Sequence, residues 1–166
     1  MDSKPISAII GNMPFLTREH LARTHPELRE INRSLPHQLD SLQIDVRRRE
    51  NTAKVIIDES CFWYFEKNPD LESSARQTRI TQCVMTDFKM CSRAEASFVD
   101  LPVMAAFEKF IHDHFNRKGT NIRSVTNFGD APPGFTNMHP IGFTDFVSFT
   151  SCGDSYSSLI IRKKQQ

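Results

Sequence analysis

The spacing of apolar residues changes abruptly at Pro36. Over residues 28–35 the leucines and the isoleucine recur every three or four positions, which is the period of an amphipathic helix. Over residues 42–46 apolar and polar residues alternate, which predicts a strand with one buried face. A chain that changes period in this way packs helices and strands together, which restricts it to a mixed fold.

Further strand patterns follow. The segments TAKVIID and SCFWYFE, over 52–58 and 60–66, are rich in β-branched and aromatic residues and predict an antiparallel hairpin or meander. An Asn-Pro pair then predicts a helical turn over Asp70–Gln77. Alternation over Ile80–Met85 predicts another strand.

The clearest helix is predicted over Leu101–Phe115, where apolar residues recur at i, i+3, i+4 and i+7. A short strand over 122–128 and two strands joined by a turn near the C-terminus complete the pattern. The sequence therefore predicts an α+β fold, or an α/β fold, with a mixed or antiparallel sheet and helices packed on one side. We expect a single globular domain over 14–162, a flexible lead-in over 1–13 and a basic tail over 163–166.

Charge and hydropathy argue against several classes of protein. The 166-residue chain has 21 Lys and Arg against 20 Asp and Glu, a net charge of +1, whereas nucleic-acid binding by phosphate neutralisation usually needs a basic excess. No apolar stretch has the length of a signal-peptide core or of a membrane span. The four cysteines are widely spaced, so we expect reduced thiols in a cytoplasmic or nuclear protein with no membrane contact.

The run FEKFIHDHFNRKG, residues 107–119, raises the question of a metal or acid–base site. His112 and His114 are two residues apart and therefore point about 200° apart on a helix, whereas two zinc ligands on one helix need a spacing of three or four residues. We interpret His114 as a residue at the edge of the core. His20, His25 and His37 have no cysteine beside them, and we interpret them as surface histidines. The sequence predicts no metal ligand, no cofactor and no catalytic residue, since phosphate-binding glycine motifs are also absent from it.

Three consecutive arginines, Arg47, Arg48 and Arg49, lie between two predicted strands and close to the aromatic run of 60–66. One interpretation is an RNA-binding module, in which the cations contact phosphates and the aromatic rings stack on bases. The other is a solvated hairpin tip with the aromatic side chains inside. The near-neutral net charge favours the second interpretation.

The segment 130–142 contains three prolines and two glycines and forms the longest predicted loop. Long loops in compact domains often bind ligands or partners, and Phe135 and Met138 are the side chains that we expect to anchor another protein. An alternative is a strand connection with its aromatic residues tucked beneath it. Trp63, the single tryptophan, is expected in the core.

Two segments resemble nematode F-box-type proteins and their associated domain. In LARTHPELREINRSLPHQLDSLQIDV, as in that family, a Pro-x-Leu helix stops at a proline and leads into a strand. The matching residues are Arg23, Pro26, Leu28, Ile31, Leu35, Pro36, Leu39, Leu42 and Ile44. FEKFIHDHFNRKGTNIRSV is similar to the helix and strand of the F-box-associated domain. The matching residues there are Phe107, Phe110, Ile111, Gly119, Asn121 and Ile122.

The C-terminal run FTDFVSFTSCGDSYSSLIIRKK is similar to the terminal hairpin of the same family. The resemblance implies a substrate-recognition or interaction module without catalytic residues, whose partner is another protein such as a ubiquitin-ligase adaptor or a substrate. The sequence as a whole therefore predicts a non-catalytic intracellular protein-interaction domain, with RNA binding through Arg47–Arg49 as the alternative.

Overall fold

Three helices precede the strands in the computed structural model. The residues that the structure describes are 3–72, 76–86, 90–115, 117–130, 147–148 and 160–161. The helices are α1 (Ser3–Gly11), α2 (Phe15–Thr24), α3 (Pro26–Ser34) and, later in the chain, α4 (Val103–Phe115). The strands are β1 (Gln38–Arg47), β2 (Thr52–Ile57), β3 (Cys61–Lys67), β4 (Thr78–Thr86), β5 (Met90–Val99), β6 (Asn121–Gly129), β7 (Val147–Ser148) and β8 (Ile160–Ile161).

Six strands form one mixed sheet in the order β5-β4-β3-β2-β1-β6. Strands β1 to β5 are an antiparallel meander, because each pairs with the next one along the chain. Strand β6 returns after α4 and pairs with β1 in parallel. Strands β7 and β8 pair antiparallel with each other, as predicted for the C-terminal region. The structure confirms the predicted α+β fold in a single domain with a mixed sheet.

The core lies between the helices and one face of the sheet. In β3 the side chains of Cys61, Trp63 and Phe65 face inward, and this alternation follows from the two-residue period of a strand. Helix α4 packs on β2 and β3, with Phe107 edge-on to Phe65 at a centroid distance of 5.6 Å. Helix α2 adds Phe15 against Trp63. The expected core position of Trp63 is therefore confirmed.

The helical turn predicted over Asp70–Gln77 is wrong for the residues of that range that the structure describes, none of which is helical. Asn68 accounts for the difference, because its side-chain oxygen accepts the amide of Asp70, as in an Asx turn. Its side-chain nitrogen and its backbone amide both donate to Gln77. These bonds close the connection from β3 to β4 as a loop.

The N-terminal segment 1–13 contains helix α1 over Ser3–Gly11, so this part of the expected lead-in has regular structure. The division of the chain at residues 13 and 162 stays a prediction. None of the described helices is long and apolar enough to cross a membrane.

The cysteines differ from the sequence-based expectation. Cys61 is a buried free thiol, and burial raises its pKa to about 12, which makes it unreactive. Cys83 is disulfide-bonded, so the expectation of reduced thiols is wrong for this residue. Because disulfides are rare in the cytosol, Cys83 does not support the expected cytoplasmic or nuclear location, which stays a prediction.

Two glycines with positive φ allow a direct test of the β1–β6 pairing. Gly129, with φ +87°, ends β6, and an added Cβ would lie 2.4 Å from the carbonyl oxygen of Val46. Gly119, with φ +85°, leaves 3.5 Å between an added Cβ and Pro36. We expect Gly129→Ala to lower the free energy of unfolding by about 2–4 kcal/mol and Gly119→Ala by about 1–2 kcal/mol. Urea denaturation measures both, and equal losses would contradict the close backbone approach at Gly129.

Candidate functional site

Arg47 is the last residue of β1, and Arg48 and Arg49 lie on the exposed turn between β1 and β2. Arg47 contacts two carboxylates, at 3.3 Å from Asp45 and 3.8 Å from Glu50, and its pKa is raised mainly by the hydrogen bond to Asp45. The backbone amide of Arg48 donates to Asp130 at 2.8 Å. Asp45 and Glu50 therefore offset the charge of Arg47, and the carboxylate of Asp130 is bound to the backbone of Arg48. This supports the solvated hairpin tip over the RNA-binding interpretation.

The aromatic side chains of β3 divide between the two faces of the sheet. Trp63 and Phe65 face the helices, whereas Phe62 lies on the other face, where the ammonium group of Lys54 sits 4.5 Å from its ring centroid. Phe135 and Met138, the predicted anchors for another protein, lie outside the described residues. Their role stays a prediction.

A cleft of ≈ 840 Å³ opens between α2, α3, the end of α4 and the helix-facing side of β3–β5. Five cationic side chains and two carboxylates belong to its lining, together with polar groups and Trp63. The cationic residues are Arg23, Arg29, Arg33, Lys109 and Arg117. Arg23 also bridges the wall from α2 to β5, because its guanidinium lies 2.5 Å from the carboxylate of Glu95.

The two histidines of α4 are separated, as the helical geometry predicts. The His112 side chain is 67% exposed, whereas that of His114 is 22% exposed and turns toward the core. His114 meets His37, which is 1% exposed although we expected it on the surface. Glu19 of α2 lies between them, and its two carboxylate oxygens are each 3.9 Å from an imidazole nitrogen: Nε2 of His37 and Nδ1 of His114.

Packing fixes the imidazole rings of this cluster. The ring centroids of Phe15 and His37 are 4.6 Å apart, and those of Phe110 and His114 are 4.4 Å apart. Glu19 is held by Asn32, whose side-chain nitrogen donates to it at 3.0 Å. One possible metal-donor atom from each of Glu19, His37 and His114 therefore lies within 4.8 Å of the other two.

Both imidazoles are neutral at pH 7. Burial, followed by the positive charges of Arg18 and Arg117, lowers the pKa of His37 to about 2. Burial also lowers the pKa of His114, although the carboxylate of Glu19 acts in the opposite direction. The 3.9 Å separations are therefore contacts between a carboxylate and uncharged rings, and neither ring forms an ion pair with Glu19 at neutral pH.

Two arginines next to the cluster bind the C-terminal end of α3. Arg18 donates to the side chain and carbonyl of Asn32 and to the carbonyls of Leu35 and Pro36, at 2.6–3.2 Å. Arg117 donates to the carbonyls of Asn32 and Leu35 at 2.8 and 3.3 Å. Cations suit this position, because the free carbonyls carry the negative end of the helix dipole.

Strand β5 forms one edge of the sheet. Among the described strands it pairs only with β4, so no described strand lies beside its other edge. From Ala94 to Val99 it contains no proline and one charged residue, Glu95, which is paired with Arg23. Phe98 is 49% exposed, more than Phe128 at 36% on the opposite edge strand β6.

The sequence did not reveal the residues that form these two features. Glu19, His37 and His114 come from α2, from the connection before β1 and from α4, so no local spacing links them. The one available signal was the position of His37, which directly follows the Leu-Pro pair after α3 and directly precedes β1. Strand β5 lacked a clear alternation of apolar and polar residues.

Comparisons of the chain with protein-family models, with curated proteins and with solved structures found no match.

Proposed function

We propose that this protein is a non-catalytic interaction domain that binds an extended segment of another protein along the open edge of β5. The observation that carries the proposal is the length and composition of this edge. Strand β5 has ten residues, and sheet edges of natural proteins are usually shortened, charged or interrupted by proline. The sequence of β5 contains no proline and two charged residues, Arg93 and Glu95, and Glu95 is paired with Arg23 of α2.

An added strand would satisfy the backbone groups along this edge. Main-chain hydrogen bonds supply affinity in such complexes, and pockets for alternate side chains supply specificity. Phe98 stands on the sheet face away from the helices, opposite Arg79 of β4. A partner strand laid beside β5 would place one of its own side chains next to this ring, which makes Phe98 the anchor of the proposed interface.

Phe135 and Met138 are a second contact in this proposal, since the sequence predicts a long loop there and long loops often bind partners. The resemblance to the nematode F-box-associated domain suggests the kind of partner, a ubiquitin-ligase adaptor or its substrate. Neither suggestion is needed for the binding at β5.

Phe98→Ala is expected to reduce partner binding at least about tenfold, or by about 1.4 kcal/mol, because it removes the exposed ring at the edge. Phe128→Ala is the matched control, since it removes a similarly exposed ring from the opposite edge strand. The measurement compares proteins captured by immobilised wild type and by both variants, quantified by mass spectrometry. Hydrogen exchange of the domain with the purified partner then reports which strand becomes protected.

The expected pattern is a protein captured by wild type and by Phe128→Ala, lost with Phe98→Ala, that protects the amides of β5. A partner that binds all three forms equally and leaves the exchange of β5 unchanged would exclude this edge as the interface.

RNA binding through Arg47–Arg49 remains the alternative function. It receives less support, because Arg47 is already bound to Asp45 and Glu50, and Asp130 accepts a hydrogen bond from the backbone amide of Arg48. Phosphate contacts need uncompensated positive charge to release counterions.

A further inference from the structure

Two polar atoms in the interior of the cluster have no hydrogen-bond partner among the residues that the structure describes. These atoms are Nε2 of His37 and Nδ1 of His114, both buried. Each points at the carboxylate of Glu19, yet the separation of 3.9 Å is too long for a hydrogen bond. Buried polar atoms are rarely left without a partner, so an atom that fits between these groups would account for the arrangement.

We propose that Glu19, His37 and His114 bind a divalent transition-metal ion of the zinc type through one carboxylate oxygen and the two unpaired imidazole nitrogens. This donor set, two imidazoles and one carboxylate, suits Zn²⁺ and its neighbours Co²⁺ and Ni²⁺. It does not suit Ca²⁺ or Mg²⁺, which prefer a shell of oxygen atoms. The site is independent of the proposed binding along β5.

The distances allow the ion after a small movement of side chains. Zinc bonds of about 2.0–2.2 Å place tetrahedral donor atoms about 3.3–3.6 Å apart. Each carboxylate oxygen of Glu19 is 3.9 Å from one imidazole nitrogen, and the set that contains a single oxygen of Glu19 lies within 4.8 Å. The carboxylate of Glu19 is the flexible member of the set. Asn32 donates to that carboxylate at 3.0 Å, which is the kind of outer contact that orients metal ligands.

The charges around the cluster are compatible with a dication. Arg18 and Arg117 are close, but both guanidinium groups are bound to the carbonyls at the end of α3, which offset part of their charge. Neutral imidazoles bind metal without first releasing a proton. Glu19 and His114 line the basic cleft, so the fourth position would open onto it and accept water or an anion.

Zinc titration of the untagged full-length chain, after treatment with a chelator, tests this site by isothermal titration calorimetry. We expect saturable binding of one Zn²⁺ per chain at the cluster. Glu19→Gln and His114→Phe should each weaken it more than about tenfold, since even outer-shell partners are worth about 10–100-fold. Glu19→Gln retains an oxygen for Asn32, and circular dichroism with thermal melting confirms that each variant is folded.

His112→Phe is the matched control, because it makes the same change on the same helix at an exposed position. It should bind Zn²⁺ as wild type does. A measurement on the wild type avoids any loss of fold: on addition of Zn²⁺, the imidazole nitrogen resonances of His37 and His114 should shift while those of His112 do not. Absence of saturable binding, equal weakening by His112→Phe, or unchanged resonances of His37 and His114 would each overturn the proposal and leave a buried water molecule as the partner of these atoms.

Discussion

Arg18→Met is expected to lower the free energy of unfolding by about 3–5 kcal/mol. Arg18 is 1% exposed and donates four hydrogen bonds, to the side chain of Asn32 and to three carbonyls around the end of α3. Methionine fills most of the volume but donates no hydrogen bond, so the carbonyl of Pro36 and the side chain of Asn32 lose a charged donor in the interior. Burial already lowers the pKa of Arg18, which shows how far the group is removed from water. Urea denaturation measures the loss.

The matched control is Arg33→Met on α3. Arg33 is exposed and its ion pair with Glu30, at 2.8 Å, lies on the surface. Exposed ion pairs contribute little, so we expect a change within about 0.5 kcal/mol. Similar losses for Arg18→Met and Arg33→Met would show that the buried guanidinium does not hold the end of α3.

Phe107→Ala is expected to cost about 3–5 kcal/mol, because it leaves a cavity between α4 and the sheet. The Phe107 side chain is fully buried and packs edge-on against Phe65 with an interplanar angle of 89°. Phe98→Ala makes the same change at an exposed position and should alter stability by less than about 0.5 kcal/mol. Thermal and urea denaturation of both variants give the comparison.

The same pair of variants separates stability from binding. If Phe107→Ala unfolds no more easily than Phe98→Ala, then α4 does not cover the sheet as described. If Phe98→Ala is as stable as wild type, its expected loss of partner binding reflects the interface and not the fold.

The periodic segments were predictable from the sequence because the spacing of their apolar residues equals the period of the helix or strand whose one face is buried. Strands β1 to β3 and helix α4 each present one continuous apolar face to the core, and the helical and two-residue spacings identify them. The separation of His112 from His114 followed from the same geometry. The face of a helix or strand on which a residue lies depends only on local spacing, so it can be predicted from a single sequence.

Strand β5 was missed for a physical reason. Its residues Ala94, Glu95 and Ala96 favour helices, and an edge strand whose side chains from Ala94 to Val99 are exposed or half-buried has no need to alternate. Pairing with β4 supplies its structure, and pairing is a tertiary property. The strand on which the proposed function rests is therefore the one that local pattern cannot identify.

The cluster of Glu19, His37 and His114 was missed because its members meet only after the chain has folded. Considering histidines within one helix separated His112 from His114, as the structure does, but that reasoning did not extend to His37. Burial of a histidine beside Phe15 depends on how α2 packs against the sheet, and the sequence contains no local mark of this packing.

The parallel pairing of β1 with β6 also sets the order in which the chain can complete its sheet. Strands β1 to β5 pair with sequence neighbours, whereas β6 reaches β1 only after the whole meander and α4 have been made. Closing so long a loop is slow compared with forming hairpins. During synthesis the second edge of β1 therefore stays uncovered until β6 leaves the ribosome, and throughout that interval the nascent chain carries β1 as an apolar edge strand that is open to wrong partners.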